Sequence, residues 1–260
     1  MKFRFLFPLT TLLVLLLFSC DNGAVTDAGD SNGTGSDGSL SFNHERNPGV
    51  SATEFLTDDD FQNLVLEIQY MEGYAPTSDA ISNLQIFLKE RLNKNNITIL
   101  DPSEIPAGGQ ESYTATEVRN LERDHRTEFA EEGQLAAYFI VLDGEFSQGN
   151  VLGIAHYNTS MALFGETIRN TSDGIFQLSR AAIETIVMQH EVGHIIGLVN
   201  NGVDMQTDHQ DEENGAHCDV EDCLMYFAVR TTDFFADIFD GNVPELDQHC
   251  IADLKAAGGK

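Results

Sequence analysis

Patterns of apolar and polar residues in the middle of the chain predict alternating strands and helices. Residues 61–71 alternate and are rich in branched and aromatic side chains, which is typical of a strand. In residues 80–93 the apolar positions recur on one helical face, and Ser78 or Asp79 is expected to cap this helix. A short second strand is predicted at residues 97–100.

The second half of the chain continues this pattern after a predicted loop at residues 101–110. The nearly continuous apolar run at residues 135–142 predicts a buried strand. Two further extended pieces are predicted within residues 151–168, joined near Asn158, and one long helix follows at residues 179–199. This order of elements predicts a mixed α/β domain.

The first 19 residues have the pattern of a signal peptide. Lys2 and Arg4 precede an apolar stretch, residues 6–18, which at 13 residues is short for a membrane span. Its end resembles a bacterial lipobox, which implies a lipid on Cys20 and a membrane-anchored, exported lipoprotein at the outer membrane or cell surface, with the periplasm as the alternative location. A signal peptide without lipidation, or a membrane anchor, is the other interpretation.

Residues 20–51 are expected to form an acidic, flexible tether, because Gly, Ser, Asp and Asn dominate as far as about Ser41. Residues 52–260 then suffice for one domain, and we expect a monomer. The chain carries 42 Asp+Glu against 14 Lys+Arg, a formal net charge of −28. This charge excludes a nucleic-acid binder with a broad basic surface, and it favours encounter with cationic peptides.

The predicted long helix contains the candidate chemistry. His190 and His194 are one turn apart, so they lie on the same helical face. Two imidazoles at this spacing can both reach one zinc ion at about 2.0–2.1 Å, and Glu191 can reach a water molecule on that metal. The H-E-x-x-H pattern therefore indicates a zinc site, with two ordinary helix histidines as the alternative.

The sequence around this motif resembles that of a known enzyme family. Residues 190–197 resemble the zinc-binding motif of the metzincin metallopeptidases, in which a third ligand follows the glycine by three residues, but Asn200 holds that position here. Residues 217–225 are similar to a stretch of the archaemetzincins, with the spacing His-Cys-x4-Cys-x-Met. The resemblance implies that His217 is the third zinc ligand and that Met225 lies beneath the metal.

The resemblance also implies a fold and a reaction. It implies a metzincin-like zincin domain: a mixed twisted sheet, a long active-site helix and a small C-terminal subdomain. A zinc-dependent endopeptidase is expected, with Glu191 as general base for a zinc-activated water that attacks a peptide bond. His209 is the rival third ligand. An edge strand would bind the substrate backbone, and residues 160–168 are the candidate, with an ordinary core strand as the alternative.

Three cysteines near the C-terminus admit two interpretations. Archaemetzincins hold a structural zinc ion with four cysteines, of which Cys218, Cys223 and Cys250 are present here. Asp247 stands in place of the fourth, and either Asp247 or His249 would complete such a site. In an exported protein a Cys218–Cys223 disulfide that leaves Cys250 unpaired is the interpretation we favour.

Two other classes of function stay open at this stage. One is a catalytically inactive zinc-binding surface domain, which would bind metal without turnover. The other is a glycan-binding or protein-binding surface lipoprotein that carries the H-E-x-x-H motif by coincidence, which predicts no metal binding.

Overall fold

The structure is a computed structural model that describes residues 42–174, 177–232 and 243–260. Its α-helices are α1 (Ala52–Leu56), α2 (Ser78–Arg91), α3 (Ala115–His125), α4 (Gly165–Thr171), α5 (Arg180–Ile195) and α6 (Gln248–Ala256). Its strands are β1 (Asn63–Met71), β2 (Asn96–Ile99), β3 (Ser103–Ile105), β4 (Ser112–Tyr113), β5 (Gln134–Leu142), β6 (Glu145–Phe146), β7 (Gly153–Tyr157) and β8 (Ser160–Phe164).

The described part of the chain begins earlier than the predicted domain. Residues 42–51, which the sequence assigns to the tether, lie against the domain through hydrogen bonds to Asn158. The predicted signal peptide and Cys20 lie outside the described residues. No helix among the described residues is long and apolar enough to cross a membrane.

One mostly parallel sheet organises the domain. Its strand order is β2-β1-β5-β8-β7, and β3 pairs with a later part of β1. The pairs along this order are parallel except for β7 with β8, which are joined as an antiparallel hairpin. This sheet and the helices of the described residues confirm the predicted mixed α/β fold class.

Strand β5 is apolar from Leu135 onward, because both of its faces are covered there. Alternate side chains such as Leu135 and Phe139 join a core that includes residues of α2 and α5. The residues between them, such as Tyr138 and Ile140, join a second core that includes Val118 of α3. Since successive side chains of a strand point to opposite faces, a strand covered on both sides needs apolar residues at every position.

Three predicted element boundaries need correction. Helix α2 is capped by Thr77, whose hydroxyl accepts a hydrogen bond from the amide of Ala80 at 3.3 Å, and not by Ser78 or Asp79. The predicted loop at residues 101–110 contains β3, which pairs with the end of β1. The last part of the predicted extended segment 151–168 is helical, because α4 begins directly after β8.

The predicted substrate-binding edge strand is also wrong. Residues 160–164 form β8, which is buried at every position and lies between β5 and β7. The outer strand on this side of the sheet is β7, at residues 153–157. The chain reverses at Asn158, and β8 pairs with β5. The first of the two predicted extended pieces, β7, is therefore the outer strand.

A buried charged network lies beneath the hairpin of β7 and β8. Glu122 of α3 accepts hydrogen bonds from His156 at 2.6 Å, from Ser160 at 2.6 Å and from Arg126 at 2.8 Å. The Arg119 guanidinium donates to the carbonyl of His156 at 3.2 Å. These contacts join α3 to both strands of the hairpin and so hold the edge strand in place.

We expect Glu122→Gln to remove stability that depends on pH. Burial alone would raise the pKa of Glu122, but hydrogen bonds from His156 and Ser160 and the charge of Arg126 lower it from 4.5 to about 2. Because the folded-state pKa is below the unfolded value, the stabilisation is present above pH 4.5 and is lost as the pH falls toward 2. Urea unfolding should show a loss of roughly 3 kcal/mol at pH 7.

The exposed residue Glu132 provides the matched control for this prediction. Glu132→Gln makes the same chemical change at the surface, and its unfolding free energy should stay within about 0.5 kcal/mol of the wild type. Equal unfolding free energies for Glu122→Gln and wild type at pH 7 would contradict the network as described.

Candidate metal centre

Helix α5 presents the H-E-x-x-H motif on its buried side. The helix begins after Ser179, whose hydroxyl accepts from the amide of Ala182 at 3.2 Å. It ends two residues before Gly197, which adopts a φ of +85° and accepts a hydrogen bond from Val203 N at 2.9 Å. This left-handed turn ends the helix four residues earlier than the sequence predicts, and it directs the following chain back toward the site.

His217 lies beside the two helix histidines. Ring nitrogens of His190, His194 and His217 all lie within 4.8 Å of one another, and all three residues are buried. The His194 ring is 4.8 Å from each of the other two rings by centroid, and the rings of His190 and His217 are 5.3 Å apart. The structure therefore brings together the three residues that the resemblance implies as ligands.

Two backbone carbonyls orient these imidazoles. His190 Nδ1 donates to Leu224 O at 2.7 Å, and His217 Nδ1 donates to Asn214 O at 2.7 Å. A carbonyl can only accept, so each ring must carry its proton on Nδ1, which makes Nε2 the ligand atom.

The spacing of these nitrogens fits a metal ion. The Nε2 atoms of His190 and His194 are 3.1 Å apart. Two ligands at about 2.0–2.1 Å from a tetrahedral zinc ion would be roughly 3.4 Å apart. A zinc ion between the rings therefore requires a movement of only a few tenths of an ångström. Neutral imidazoles of fixed tautomer are ligands that zinc prefers.

Glu191 lies at the floor of a cavity next to the histidines. The cavity has a volume of about 410 Å³, and its lining includes Glu191, His194, His217 and the β7 residues Ile154 and Ala155. Glu191 is 1% exposed. Its carboxylate lies under the edge strand, because a Cβ at Gly153 would be 3.0 Å from Glu191 Oε1. The carboxylate, the histidines and the sheet edge thus share one cleft.

Met225 packs against helix α5 at Gly193, within the H-E-x-x-H motif. It is fully buried, and a Cβ at Gly193 would overlap its sulfur atom. Glycine within the H-E-x-x-H motif is therefore required by the close approach of this methionine. The backbone around Met225 is fixed to that of the third histidine, because Cys218 N donates to Met225 O at 2.8 Å.

Asn200, which holds the usual third-ligand position of the family, and the rival ligand His209 both lie elsewhere. Asn200 is exposed, and its amide donates to Gln210 Oε1 at 3.2 Å. His209 is buried, but its Nδ1 lies 3.2 Å from Cys218 Sγ and its Nε2 lies 2.8 Å from Asp253 Oδ2. The structure therefore places His209 in the cysteine cluster, away from the helix histidines.

The favoured Cys218–Cys223 disulfide is not formed. Cys218, Cys223 and Cys250 are free and buried, and the sulfur atoms of Cys223 and Cys250 are 3.7 Å apart, beyond the length of a disulfide bond of about 2.05 Å. Hydrogen bonds from Cys218 and Cys250 lower the pKa of Cys223 to about 4, whereas the pKa of Cys250 is raised by its contacts with the other two sulfurs.

The cysteine cluster also has the donors of a metal site. Cys218 and Cys250 lie with His209 and Asp247 in a group whose ligand atoms are within 4.8 Å of one another. Asp247 caps α6 by accepting from Cys250 N at 2.9 Å. The Asp253 carboxylate accepts from His209 Nε2, which leaves Nδ1 to face the sulfurs.

Several residues at these two sites could not be identified from the sequence. Asn47 and Pro48 also line the cavity of the histidine cluster. They lie in the segment assigned to the tether, where no motif distinguishes them. Asp253 is a fully buried carboxylate on α6, and one acidic residue among 42 gives no reason to single it out.

Comparisons with known proteins show similarity at the level of structure. No family model matches the sequence, and no curated protein matches it. A solved archaemetzincin from Methanopyrus kandleri is similar with a TM-score of 0.47 and 15% identity, over 76% of this chain and 95% of that one. Metalloproteinase-II from Bacteroides fragilis is similar with a TM-score of 0.43 and 13% identity, over 78% of this chain and 54% of that one.

Proposed function

We propose that this protein is a zinc-dependent endopeptidase. The observation that carries the proposal is the convergence of three buried histidine nitrogens beside a buried glutamate, in a cleft bordered by the outer strand of the sheet. A zinc ion held by His190, His194 and His217 would supply Lewis-acid activation of a water molecule and of the peptide carbonyl.

Glu191 has the position required of the general base. It follows the first histidine on α5 and lines the same cavity as His194 and His217. Its carboxylate would take a proton from the attacking water and return it to the amine that leaves. Burial excludes bulk water from the carboxylate, which strengthens its interaction with a transferred proton.

Among the residues that the structure describes, none pairs with the outer edge of β7 at Gly153 and Ala155, and this edge has the position required for substrate binding. Leu152 O accepts from Phe164 N at 2.9 Å across the hairpin, so Gly153 and Ala155 direct their backbone groups to the other side. An extended peptide can pair with those groups as an added strand. Main-chain pairing supplies affinity without demanding one sequence, which suits a peptidase.

A second metal ion at the cysteine cluster is part of this proposal. His209, Cys218, Asp247 and Cys250 would provide nitrogen, sulfur and carboxylate ligands that zinc accepts, and the Cys223 sulfur lies 3.7 Å from that of Cys250. Such an ion would tie the loop that carries the third histidine to α6. The thiols would then be protected from disulfide formation in an oxidising compartment.

Anchoring and localisation are proposals that depend on sequence alone. A lipid on Cys20 would hold the enzyme at the outer membrane or cell surface, with residues 21–41 as spacer. The acidic chain would favour peptide or protein substrates of positive charge.

The direct test is the metal content and peptidase activity of the chain from residue 21 onward. We expect two zinc ions per chain, and hydrolysis of peptides that a chelator abolishes and added zinc restores. His209→Ala should lower the count to one and leave the histidine centre loaded, whereas His249→Ala should keep both ions, because His249 only stacks on His209 at 5.5 Å. A folded protein without metal would contradict the proposal, and metal without turnover would favour an inactive zinc-binding domain.

A further inference from the structure

The open edge of β7 is closed at both ends by other parts of the chain. Near its start, Val151 forms a bridge with Thr231, and Thr232 N donates to Asn150 O at 3.2 Å. Directly after its end, Asn158 N donates to Arg46 O at 2.9 Å. Between these two contacts lie residues 152–157, a length of about 20 Å at roughly 3.3 Å per residue.

The closure after β7 is made by residues 43–49, which we call the N-terminal segment. The side chain of Asn158 is fully buried and binds this segment at two points: its Oδ1 accepts from Arg46 N at 2.9 Å, and its Nδ2 donates to Asn43 O at 3.1 Å. The Arg46 guanidinium donates to Ser51 Oγ at 2.7 Å and to Glu54 at 3.0 Å. The segment is therefore fastened to the hairpin turn and to α1.

Two glycines fix the other end of the N-terminal segment. Gly49 has a φ of +85°, and a Cβ there would overlap Asn201 O. Gly202 has a φ of +134°, and a Cβ there would overlap Gly49 O. The segment thus lies in direct backbone contact with the turn that follows α5, which a side chain at either position would prevent.

Between these attachments, the N-terminal segment reaches the candidate active site. Asn47 and Pro48 line the same cavity as Glu191, His194 and His217. A peptide that pairs with β7 and runs past Tyr157 would meet the backbone of this segment at Arg46, whose carbonyl accepts from Asn158 N. The segment forms one wall of the cavity and does not fill the cavity.

We infer that the N-terminal segment limits the length of substrate on one side of the scissile bond, an inference that rests on the proposed peptidase function. Glu191 lies under Gly153, and the wall begins after Tyr157. This distance accommodates about four extended substrate residues at 3.3 Å each. A longer substrate therefore has to bend away from β7 where it meets the wall.

The test measures binding, so that it does not depend on turnover. Peptide hydroxamates, which bind zinc through the hydroxamate group, are extended by one to seven residues in either direction and titrated against the zinc-loaded chain from residue 21. In the wild type, each of the first four residues on the restricted side should raise the affinity about twofold to fivefold, and later residues should add nothing.

Two variants test separately the side chains of the N-terminal segment that line the cavity and the contacts that hold the segment in place. The double variant Asn47→Gly/Pro48→Gly removes the side chains in the cavity, and Arg46→Ala removes the contacts with Ser51 and Glu54. In both, the fifth and sixth residues should add a further gain of about tenfold together. Asn96→Ala, an exposed asparagine on the distant strand β2, should keep the wild-type length profile.

The outcomes distinguish this inference from the proposed function. Affinity that rises equally through seven residues in both directions in the wild type, or wild-type profiles in both wall variants, would overturn the inference and leave the peptidase proposal intact. Failure of every hydroxamate to bind the zinc-loaded protein would overturn the proposed function and the inference with it.

Discussion

Glu191→Gln is expected to lower kcat for peptide hydrolysis by roughly 10²–10⁴-fold while the protein keeps its zinc. Glutamine has nearly the same shape as glutamate, but its amide cannot accept and return a proton at neutral pH. Since Glu191 is buried beside the histidines and is not one of the three ring donors, the metal should stay bound. Steady-state kinetics and zinc content on the same preparation test both parts.

The control for this variant is Glu104→Gln on strand β3, where the glutamate is exposed and far from the cavity in sequence and in the sheet. It makes the same loss of charge and should have wild-type kcat and zinc content. Turnover in Glu191→Gln within threefold of wild type would refute the assignment of the base, and loss of zinc would show that Glu191 acts through the metal centre instead.

His217→Ala is expected to remove the metal from the histidine centre and with it the activity. Loss of an outer partner of a metal ligand lowers affinity by about 10–100-fold, so loss of one of three ligands should exceed that range. The ion of the cysteine cluster should remain, because its donors are separate side chains. Zinc per chain should therefore fall from two to one, with no detectable hydrolysis.

Cobalt substitution distinguishes which ion is lost. In His217→Ala the intense absorption of cobalt bound to thiolates should persist, whereas in His209→Ala it should weaken and activity should remain. His125→Ala, at the end of α3, changes a half-buried histidine that belongs to neither group and serves as the control. Equal metal content and activity in His217→Ala and wild type would rule out His217 as a ligand.

Local sequence pattern was sufficient for several of the longer elements and for one part of the site. Alternation and helical periodicity predicted β1, α2, β5 and α5 to within a few residues, because each pattern records which face of one element is covered. The pair His190 and His194 needed only helical geometry, since 3.6 residues per turn places them on one face.

The sequence was insufficient to show which of two similar strands lies inside the sheet and which lies at its edge. Two apolar strands of equal length flank Asn158, and nothing within either one shows which is inside the sheet. The order is decided by the partners of β8, which pairs with β5 on one side and β7 on the other. The sequence interpretation therefore chose the wrong strand for the substrate edge.

The remaining parts of both sites depend on contacts between residues distant in sequence. His209 and His217 lie in the same loop and have the same side chain. Only the resemblance favoured His217 over His209 as the third zinc ligand. The structure separates them because Asp253 of α6 binds His209, while Asn214 O orients His217 toward α5. The N-terminal segment reaches the cavity only because Asn158, more than 100 residues later, binds it.

By itself the sequence determined the mixed α/β class, the helix that carries H-E-x-x-H, and the acidic character of the chain, since these depend on local periodicity and composition. The tertiary structure alone decided which strand is the open edge, which histidine joins the helix pair, that the cysteines meet His209 as free thiols, and that the N-terminal segment borders the cleft. The physical reason is that these properties arise from pairing and hydrogen bonding between distant segments, which leave no periodic trace in the chain.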